Sequence, residues 1–522
     1  MKSRSDWKKL ERVFAFVKLT NETEFPNRVL TLKYRFVHVL YQNALYGGLR
    51  ATRRASLSAA VAQSLLGFYG AQSHSVAGEL ANLFEAARDF AKSAEHFAIA
   101  AQQAAQVFAN AEVVTLARRG LNALQTLPAN DERDQQEMSL QLTLGLSLAA
   151  TIFWAAPEVG EVHRRARELC QHQVGNPQFF QVLSGLFLHQ VLKAEMKEAS
   201  ELAQHLLQLA EAAQDSFMLE LAHWCSGVAT HHLGEFTVAQ KHFDSGLSFY
   251  RPGQNFPYHS ITAPSVGTAS ELARNLWIQG YPDQALQQVC QAYDLADSQS
   301  NPSTRGFALV FIAFIHQLRR EEAACQEKAE AVITLSREKD IADNIIWASF
   351  IRGWAIARQG RPEEGLAQLR ESVAIYKSVG AELALTQFLA MTAEAFCCAG
   401  QVEEALTTVD EALVMTSRNR DCYYDAELHR LRGELLLLNG ATEVEAEACF
   451  QQAIEIAQQQ SAKSWELRAA TSLARLWQQQ GKHAEARQML AGIYGWFTEG
   501  FDTADLQDAK ALLDELSLTP QG

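Results

Sequence analysis

The stretch Ala399–Leu413, AGQVEEALTTVDEAL, has a spacing of small and apolar residues that recurs along much of the chain. In it, Gly400 is followed by Ala405 five positions later, by the apolar Val409 and by the small Ala412. Much of this pattern returns in QGKHAEARQMLAGIY, which runs from 480 to 494. Because a fixed period of a few tens of residues is the signature of a repeat architecture, this period decides the fold.

Residues equivalent to Ala405 return at nearly constant intervals. The successive gaps are 46, 39, 41, 40, 41 and 40 residues, between anchors at Ala239, Ala285, Ala324, Gly365, Ala405, Ala446 and Ala486. A glycine stands five residues before most anchors, an apolar residue four after, and usually a small residue seven after. The longest gap contains an irregular connector, 250–265.

Each period predicts two helices joined by a tight turn. Glycine ends the first helix, because the left-handed backbone of a helix C-cap costs glycine nothing. The small anchor lets the second helix approach the first closely, and the apolar residue four positions later lies on the same face. Since no helix pair buries both of its faces alone, neighbouring pairs must stack.

The pattern resembles the tetratricopeptide repeat, although that family's usual period is about 34 residues. We therefore predict an all-α fold, a right-handed superhelix of about 40-residue tetratricopeptide-like helix pairs. Two units are irregular: Leu318, Arg319 and Arg320 stand where the Ala324 unit should have its turn glycine, and the Ala446 unit has one extra turn residue. Upstream, the pattern predicts further pairs anchored at Ala94 and Ala199.

The N-terminal residues have a different pattern. FAFVKLT and LTLKYRFVHV are strand-like and flank a turn, and helical segments follow. A hairpin beside short helices suggests a small α/β winged-helix-like piece. We predict three parts: a winged-helix-like remnant (1–70), a helical transition segment (71–128) and the repeat superhelix with a C-terminal cap helix (129–522), with 127–134 as the best linker.

Charge and cysteine use exclude several classes of protein. The 522 residues carry a net charge of −14, so broad binding to nucleic acid is not expected, although LRATRRAS at 49–56 is a local basic strip. The eight cysteines form no CxxC pair and lie in apolar helical patterns, as free thiols do in a reducing cytosol. We expect a cytoplasmic protein with no membrane span, because no signal peptide or long apolar run occurs.

The search for catalytic motifs predicts no enzyme and no cofactor. No P-loop, GxGxxG, HExxH or GxSxG is present, so ATP hydrolysis by this chain alone is not expected. His231 and His232 are adjacent, but no third ligand stands at a metal-binding spacing, so no metal site is expected. The alternative is an enzyme with a site built from scattered residues, which would need a deep pocket with paired titratable groups.

The favoured hypothesis is a scaffold that binds a protein or peptide in a concave groove lined by the first helix of each pair. Tryptophan and arginine are the side chains most enriched at binding hot spots. The mixed charge of this groove predicts a partner that carries both signs, and packing between repeats is the alternative role for each tryptophan. Counting back from the anchors selects Trp224, His231, His232, Arg274, Trp277, Trp354, Arg358, Glu394, Arg430, Glu434 and Arg475.

Several stretches carry a closer resemblance, which spans nearly the whole chain. They include YRFVHVLYQNALYGGL, IRGWAIARQGRPEEGLAQLRES, AELHRLRGELLLLNG and AKSWELRAATSLARLWQQQGKHAEARQML, and the last eighty residues are the most specific part. These look like the C-terminal half of bacterial STAND-type signalling ATPases, often fused to a class III adenylate or guanylate cyclase or a protein kinase.

The resemblance implies a winged helix followed by a tetratricopeptide-like sensor arm. Because this sequence lacks the P-loop module and the effector of that family, it implies binding and relay, with an ATPase or cyclase module on another chain among the expected partners. A fragment of a gene for such a cyclase or ATPase remains the alternative. The sequence is equally compatible with the product of a truncated gene, a separate subunit and an excised piece of a longer protein.

Overall fold

The computed structural model describes residues 16–170, 177–251, 262–298, 301–338 and 341–518. Helices account for most of this length, and a two-stranded sheet lies at its start. By its internal contacts the chain divides into two units: Met1–Ser147 with Glu168–His172, and Leu148–Arg167 with Gln173–Gly522. The predicted linker at 127–134 lies within the first unit: residues 127–130 join two helices, and the second of these begins at Asp131.

The first unit opens with the predicted hairpin. Strands β1 (Val17–Glu24) and β2 (Leu30–Phe36) pair antiparallel, with an irregularity between Leu19 and Asn21. The hairpin is confirmed, and the winged-helix assignment stays a prediction. The helices that follow are α1 Val39–Gly47, α2 Ala51–Tyr69, a 3₁₀ helix Gly70–Val76, α3 Ala77–Ala87, α4 Phe90–Gln106, α5 Asn110–Gln125 and α6 Asp131–Ile152.

The second unit consists of consecutive antiparallel helix pairs, which confirms the predicted all-α repeat fold. Its helices are α7 Pro157–Cys170, α8 Pro177–Leu192, α9 Met196–Ala213, α10 Ser216–His232, α11 Phe236–Phe249, α12 Pro264–Ile278, α13 Pro282–Ser298, α14 Pro302–Leu318, α15 Glu322–Glu338, α16 Ala342–Arg358, α17 Pro362–Ser378, α18 Leu385–Cys398, α19 Val402–Asn419, α20 Asp425–Leu438, α21 Glu443–Gln460, α22 Lys463–Gln479, α23 His483–Tyr494 and α24 Ala504–Leu518.

The anchors pack where the spacing predicts, with one exception. Ala239, Ala285, Ala405, Ala446 and Ala486 are fully buried. The predicted anchor Ala324 was wrong by one residue: it is half-buried, while the neighbouring Cys325 is fully buried at the equivalent place in its helix. With Cys325 as the anchor, the gaps to Ala285 and Gly365 are both 40 residues.

The turn between the helices of a pair needs a left-handed residue. Glycine supplies it at Gly234, Gly280, Gly360, Gly400, Gly440 and Gly481. Arg320 takes the same position in the α14–α15 turn, with φ 62°. The turn of this unit therefore has the same left-handed backbone as the other turns, even though its glycine is missing.

Within the second unit, pairs that are far apart in sequence also contact each other. The Cys422 N–H donates to the His232 carbonyl oxygen (2.8 Å), and Ser464 Oγ donates to the Trp277 carbonyl oxygen (2.5 Å) across 187 residues. The pairs that these bonds join pack against each other, and this packing covers much of the face that first helices would otherwise present to solvent. All fifteen residues of α12 are buried as a result.

Candidate functional site

A polar cavity of about 200 Å³ lies within the second unit, between first helices of several pairs and the C-terminal helix. Its wall holds five arginines and five carboxylates, so its charges balance. The lining residues are Gln317, Arg320, Trp354, Arg358, Glu394, Glu427, Arg430, Glu434, Arg468, Thr471, Arg475, Asp505 and Asp508.

Arg430 forms the most complete ion pairs of the cavity wall. Its guanidinium donates to both carboxylate oxygens of Glu427, each at 2.8 Å, and lies 2.6 Å from Glu434 Oε1. Burial alone would lower the pKa of Arg430, but Glu427 and Glu434 outweigh it and raise that pKa well above its usual range. Burial would likewise raise the pKa of Glu434, but Arg430 and a bond from Ser472 hold it below its ordinary value.

Arg468 connects the cavity to the aromatic packing behind it. Its guanidinium lies 5.0 Å from the ring centre of Trp277 and 5.1 Å from that of Trp465. Its nitrogens donate to Asp505 Oδ2 (2.8 Å) and to the Leu318 carbonyl oxygen (2.6 Å). Arg468 therefore links α14, α22 and α24, and it has little donor capacity left for a ligand.

The C-terminal helix α24 closes one side of the cavity through Arg320. This residue lies 3.3 Å from Asp505 Oδ1 and 2.8 Å from Asp508 Oδ2. Arg475 approaches Asp508 Oδ2 only at 3.7 Å and is exposed. The helix predicted as a solubilising cap thus also supplies two wall carboxylates.

Glu394 has fewer polar partners than Arg430 and Arg468. It accepts a hydrogen bond from Trp354 Nε1 (2.6 Å), and no arginine or lysine of the described residues lies within ion-pair distance of it. Burial raises the pKa of Glu394 above its ordinary value, and the more distant Arg358 opposes the rise. Arg358 itself is exposed and lies 3.5 Å from Glu322.

The structure brings together six of the eleven residues that the spacing selects for the groove. The six that line this cavity are Trp354, Arg358, Glu394, Arg430, Glu434 and Arg475. They come from α16, α18, α20 and α22, the first helices of four successive pairs. The structure places these six residues around one cavity, and their role in binding stays a prediction.

The other five predicted residues do not line the cavity: four lie in the packing between distant pairs, and Trp224 packs between neighbouring pairs. His231, His232, Arg274 and Trp277 are buried, and Trp224 is half-buried against Phe187. The physical reason is the contact between pairs nearly 190 residues apart, which covers their side of the groove. For Trp277 this is the packing role that was the alternative.

These buried residues form their own polar network. His232 Nδ1 donates to Asp421 Oδ1 (2.8 Å), and Arg274 Nη2 donates to His232 Nε2 (3.2 Å). The His232 ring is therefore the tautomer that carries its hydrogen on Nδ1. Arg274 also pairs with Glu271 at 2.6 Å. The adjacent histidines thus serve packing. Among the described residues, no group of three or more His, Cys, Asp or Glu side chains could hold a metal ion.

Seven wall residues are not among the eleven that the spacing selects. Glu427 stands three residues before Arg430, and Arg468 stands three before 471, the equivalent position of the next pair. Extending the count by one helical turn would therefore have found both. Asp505 and Asp508 belong to the cap helix, for which no repeat position exists. No sequence signal identifies those two, because only the tertiary contact with Arg320 brings them to the cavity.

Comparison with known proteins supports the repeat architecture. The sequence pattern of the tetratricopeptide repeat matches residues 346–371 and 467–491. An uncharacterized protein, R02095, of Rhizobium meliloti (strain 1021) is 21% identical over 467 residues, which are 87% of this chain and 45% of that protein. The chain thus spans less than half the length of this relative.

Solved structures resemble the fold at low sequence identity. A Rap protein complexed with competence and sporulation factor matches with a TM-score of 0.52 and 11% identity, over 71% of this chain and 99% of that chain. A STAND protein with a tetratricopeptide repeat sensor from Pyrococcus horikoshii has a TM-score of 0.37 and 9% identity, over 67% and 55% of the two chains. Only the first likeness is close enough to support the fold.

These matches do not test every prediction made from the sequence. None of them bears on the winged-helix piece or on a cyclase, so both stay predictions. In the described part of the chain, no helix combines the length and the apolar content that crossing a membrane requires. The cytoplasmic location remains an expectation from the sequence.

Proposed function

We propose that this chain is a non-catalytic binding scaffold, and that its second unit takes a ligand in the charged cavity between α14, α16, α18, α20, α22 and α24. The observation that carries the proposal is the convergence of ten charged side chains, from five helices and one turn, on one small cavity. Ligand sites commonly lie between packed helices, where a few polar groups fix the orientation of the ligand. Most of its groups are rigidly held, so the site is largely formed before binding.

The chemistry of the wall favours binding over catalysis. Glu427, Glu434 and Asp505 are each ion-paired with an arginine within 3.2 Å. Against the effect of burial, Arg430 holds the pKa of Glu434 below its ordinary value, which makes this carboxylate a poor proton acceptor. The lining includes no histidine, cysteine or lysine, and the Thr471 hydroxyl donates to the Leu467 carbonyl oxygen. A general acid–base pair or an activated nucleophile therefore has no obvious place in this wall.

The biological role we propose is that of a sensor or regulatory arm in a bacterial signalling system. The resemblance to STAND-type proteins supports this role, and so does a relative more than twice as long as the aligned region. Ligand binding between several pairs would change the relative energy of their packing, which is how such an arm could shift an on–off equilibrium. An ATPase or cyclase module on another chain is the partner we expect.

The binding proposal can be tested with hydrogen exchange. Purified protein would be screened by thermal unfolding against peptides and charged metabolites, and any compound that raises Tm would be mapped by exchange of backbone amides. Added protection should concentrate in α16, α18, α20 and α22. Stabilising compounds that map elsewhere in every case would refute the cavity as the site.

The non-catalytic part needs a separate assay. Protein incubated with ATP or GTP and Mg²⁺ should release no phosphate and no cyclic nucleotide above a buffer blank. Turnover that survives repurification and disappears on Glu394→Gln would favour the scattered-site enzyme instead.

A further inference from the structure

The buried charged side chains of the cavity wall form ion pairs with one another. Arg430 is paired with Glu427 and Glu434, and Arg468 is paired with Glu427 and Asp505 at 3.2 and 2.8 Å. Charge-assisted hydrogen bonds of this kind are typically about 2.7–2.9 Å long. These groups shape the cavity without needing a ligand.

Three charges at the cavity wall are paired weakly. Arg358 lies 3.5 Å from its nearest carboxylate, Glu322, and Arg475 lies 3.7 Å from Asp508. Both arginines are exposed, so they mark the side that is open to solvent. Glu394 accepts one bond from Trp354 and has no ion pair among the described residues. The wall therefore offers two cationic groups and one anionic group to whatever enters.

The size of the cavity limits the ligand. Its volume is about 200 Å³. Drug-sized ligands occupy pockets of about 300–1,000 Å³. The part of a ligand that enters must therefore be small and compact, and the weakly paired wall charges favour a ligand with one negative and one positive group.

We propose that the cavity binds an amino-acid-sized zwitterion, with its carboxylate between Arg358 and Arg475 and its ammonium group on Glu394. This inference rests on the proposed binding function and names the ligand class for the same cavity. Arginine suits the carboxylate because its planar fork of donors matches two oxygens. Glu394 lies on a separate helix from either arginine, which separates the two charges of the ligand.

Two sources could supply this chemistry: a free amino acid, or a residue at the end of a peptide. Calorimetric titration would use the twenty free amino acids and, for each that binds, its N-acetyl form, its amide and dipeptides with it at either end. We expect blocking either charge to weaken binding at least tenfold. A preference for the free amino acid or for one dipeptide series then distinguishes the two sources.

Variants connect the affinity to the named residues. Arg358→Gln with Arg475→Gln should weaken a bound zwitterion at least tenfold, while Glu394→Gln should remove the discrimination against the N-acetyl form. The matched control, Arg361→Gln with Arg487→Gln, removes two exposed arginines that do not line the cavity and should bind as the native protein does. Unchanged melting temperatures show that the variants fold.

Each outcome bears on one proposal or the other. If no zwitterion binds while a different compound protects the cavity helices in hydrogen exchange, the zwitterion inference is wrong and the scaffold function stands. Binding of acetate or phosphate alone, indifferent to Glu394→Gln, also overturns it. If nothing binds the cavity in either assay, the proposed function fails with it.

Discussion

Arg320 holds a left-handed backbone in a turn where the equivalent position of most other pairs in the second unit has glycine. For a residue with a Cβ atom this conformation costs about 1–2 kcal/mol. The side chain of Arg320 offsets some of this cost by pairing with Asp505 and Asp508. The ion pairs therefore hold a cation at the wall of the candidate site despite its strained backbone.

Two substitutions separate the backbone effect from the side-chain effect. Arg320→Ala and Arg320→Gly both lose the ion pairs, but only glycine relieves the left-handed backbone, so we expect the glycine variant to be more stable by roughly 1 kcal/mol. Urea denaturation measures the difference. As a control, Gly400→Ala should lose a similar amount, because Gly400 has φ 72° in open space. Equal stability of the two Arg320 variants would contradict the argument.

Glu220 is a buried carboxyl group whose Oε1 has no hydrogen-bond donor among the described residues. Burial raises the pKa of Glu220 from 4.5 to about 7. Between these values the folded state keeps a proton that the unfolded state has lost. The free energy of unfolding contributed by this group must therefore fall as pH rises through that window.

The variant Glu220→Gln should remove this pH dependence. Since one pKa unit corresponds to about 1.4 kcal/mol, the stability of the native protein relative to the variant should drop by on the order of 3 kcal/mol between pH 4.5 and 8. Urea denaturation at both pH values measures it. The exposed Glu403→Gln should follow the native curve, and parallel curves for Glu220→Gln would show that the carboxyl group titrates normally.

Within a helix pair, the size of one residue depends on the size of the residue it faces. Gly433 on α20 faces Phe450 on α21, and a Cβ atom on Gly433 would lie 2.6 Å from the phenylalanine ring. In the α12–α13 pair, the equivalent positions are Ala273 and Val289, both fully buried. The small residue on the first helix thus allows the large residue on the second, as close helix packing requires.

This complementarity predicts a cost and its rescue. Gly433→Ala should destabilise the protein by about 1–3 kcal/mol through overpacking, and adding Phe450→Leu should recover part of the loss because the smaller side chain makes room. Denaturant midpoints of the single and double variants measure both effects. Gly492→Ala is the matched control: this helical glycine meets nothing within 4 Å, and alanine there should be neutral or stabilising by up to about 1 kcal/mol. Strictly additive effects of the two substitutions would argue against direct contact.

At the scale of the whole second unit, stability depends on contacts between pairs that are far apart in sequence. Asp421 is fully buried, and its two oxygens accept hydrogen bonds from His232 Nδ1 and from the Ala384 N–H, at 2.8 and 2.9 Å. Removing a buried acceptor leaves its donors unsatisfied. One carboxylate therefore links α10 to the turn that precedes α18.

Asp421→Ala should lower the free energy of unfolding by on the order of 3 kcal/mol, because two buried donors lose their acceptor. Asp421→Asn keeps an acceptor and should lose less. Hydrogen exchange should show the extra opening in α10 as well as around 421, because the bond joins them. Faster exchange confined to the neighbourhood of 421 would contradict a link across 189 residues.

The sequence by itself determined the repeat, the helix pairs and the part of the site that repeats with them. A period of 40 residues specifies which residues of adjacent helices meet, since anchor, turn and facing residue interact over short sequence distances. That is why Ala405 and its equivalents are buried as predicted, and why Trp354, Glu394 and Arg430 reach one cavity. Even the wrong anchor, Ala324, was wrong by only one residue.

Only the tertiary structure decided which part of the groove stays open. Burial of His232 and Arg274, and the arrival of Asp505 and Asp508 at the cavity wall, depend on contacts made 185 to 189 residues apart. Those contacts follow from small rotations between successive pairs, which accumulate over several repeats. A periodic sequence describes the contact of each pair with the next, and it contains no comparable signal for the sum of those rotations.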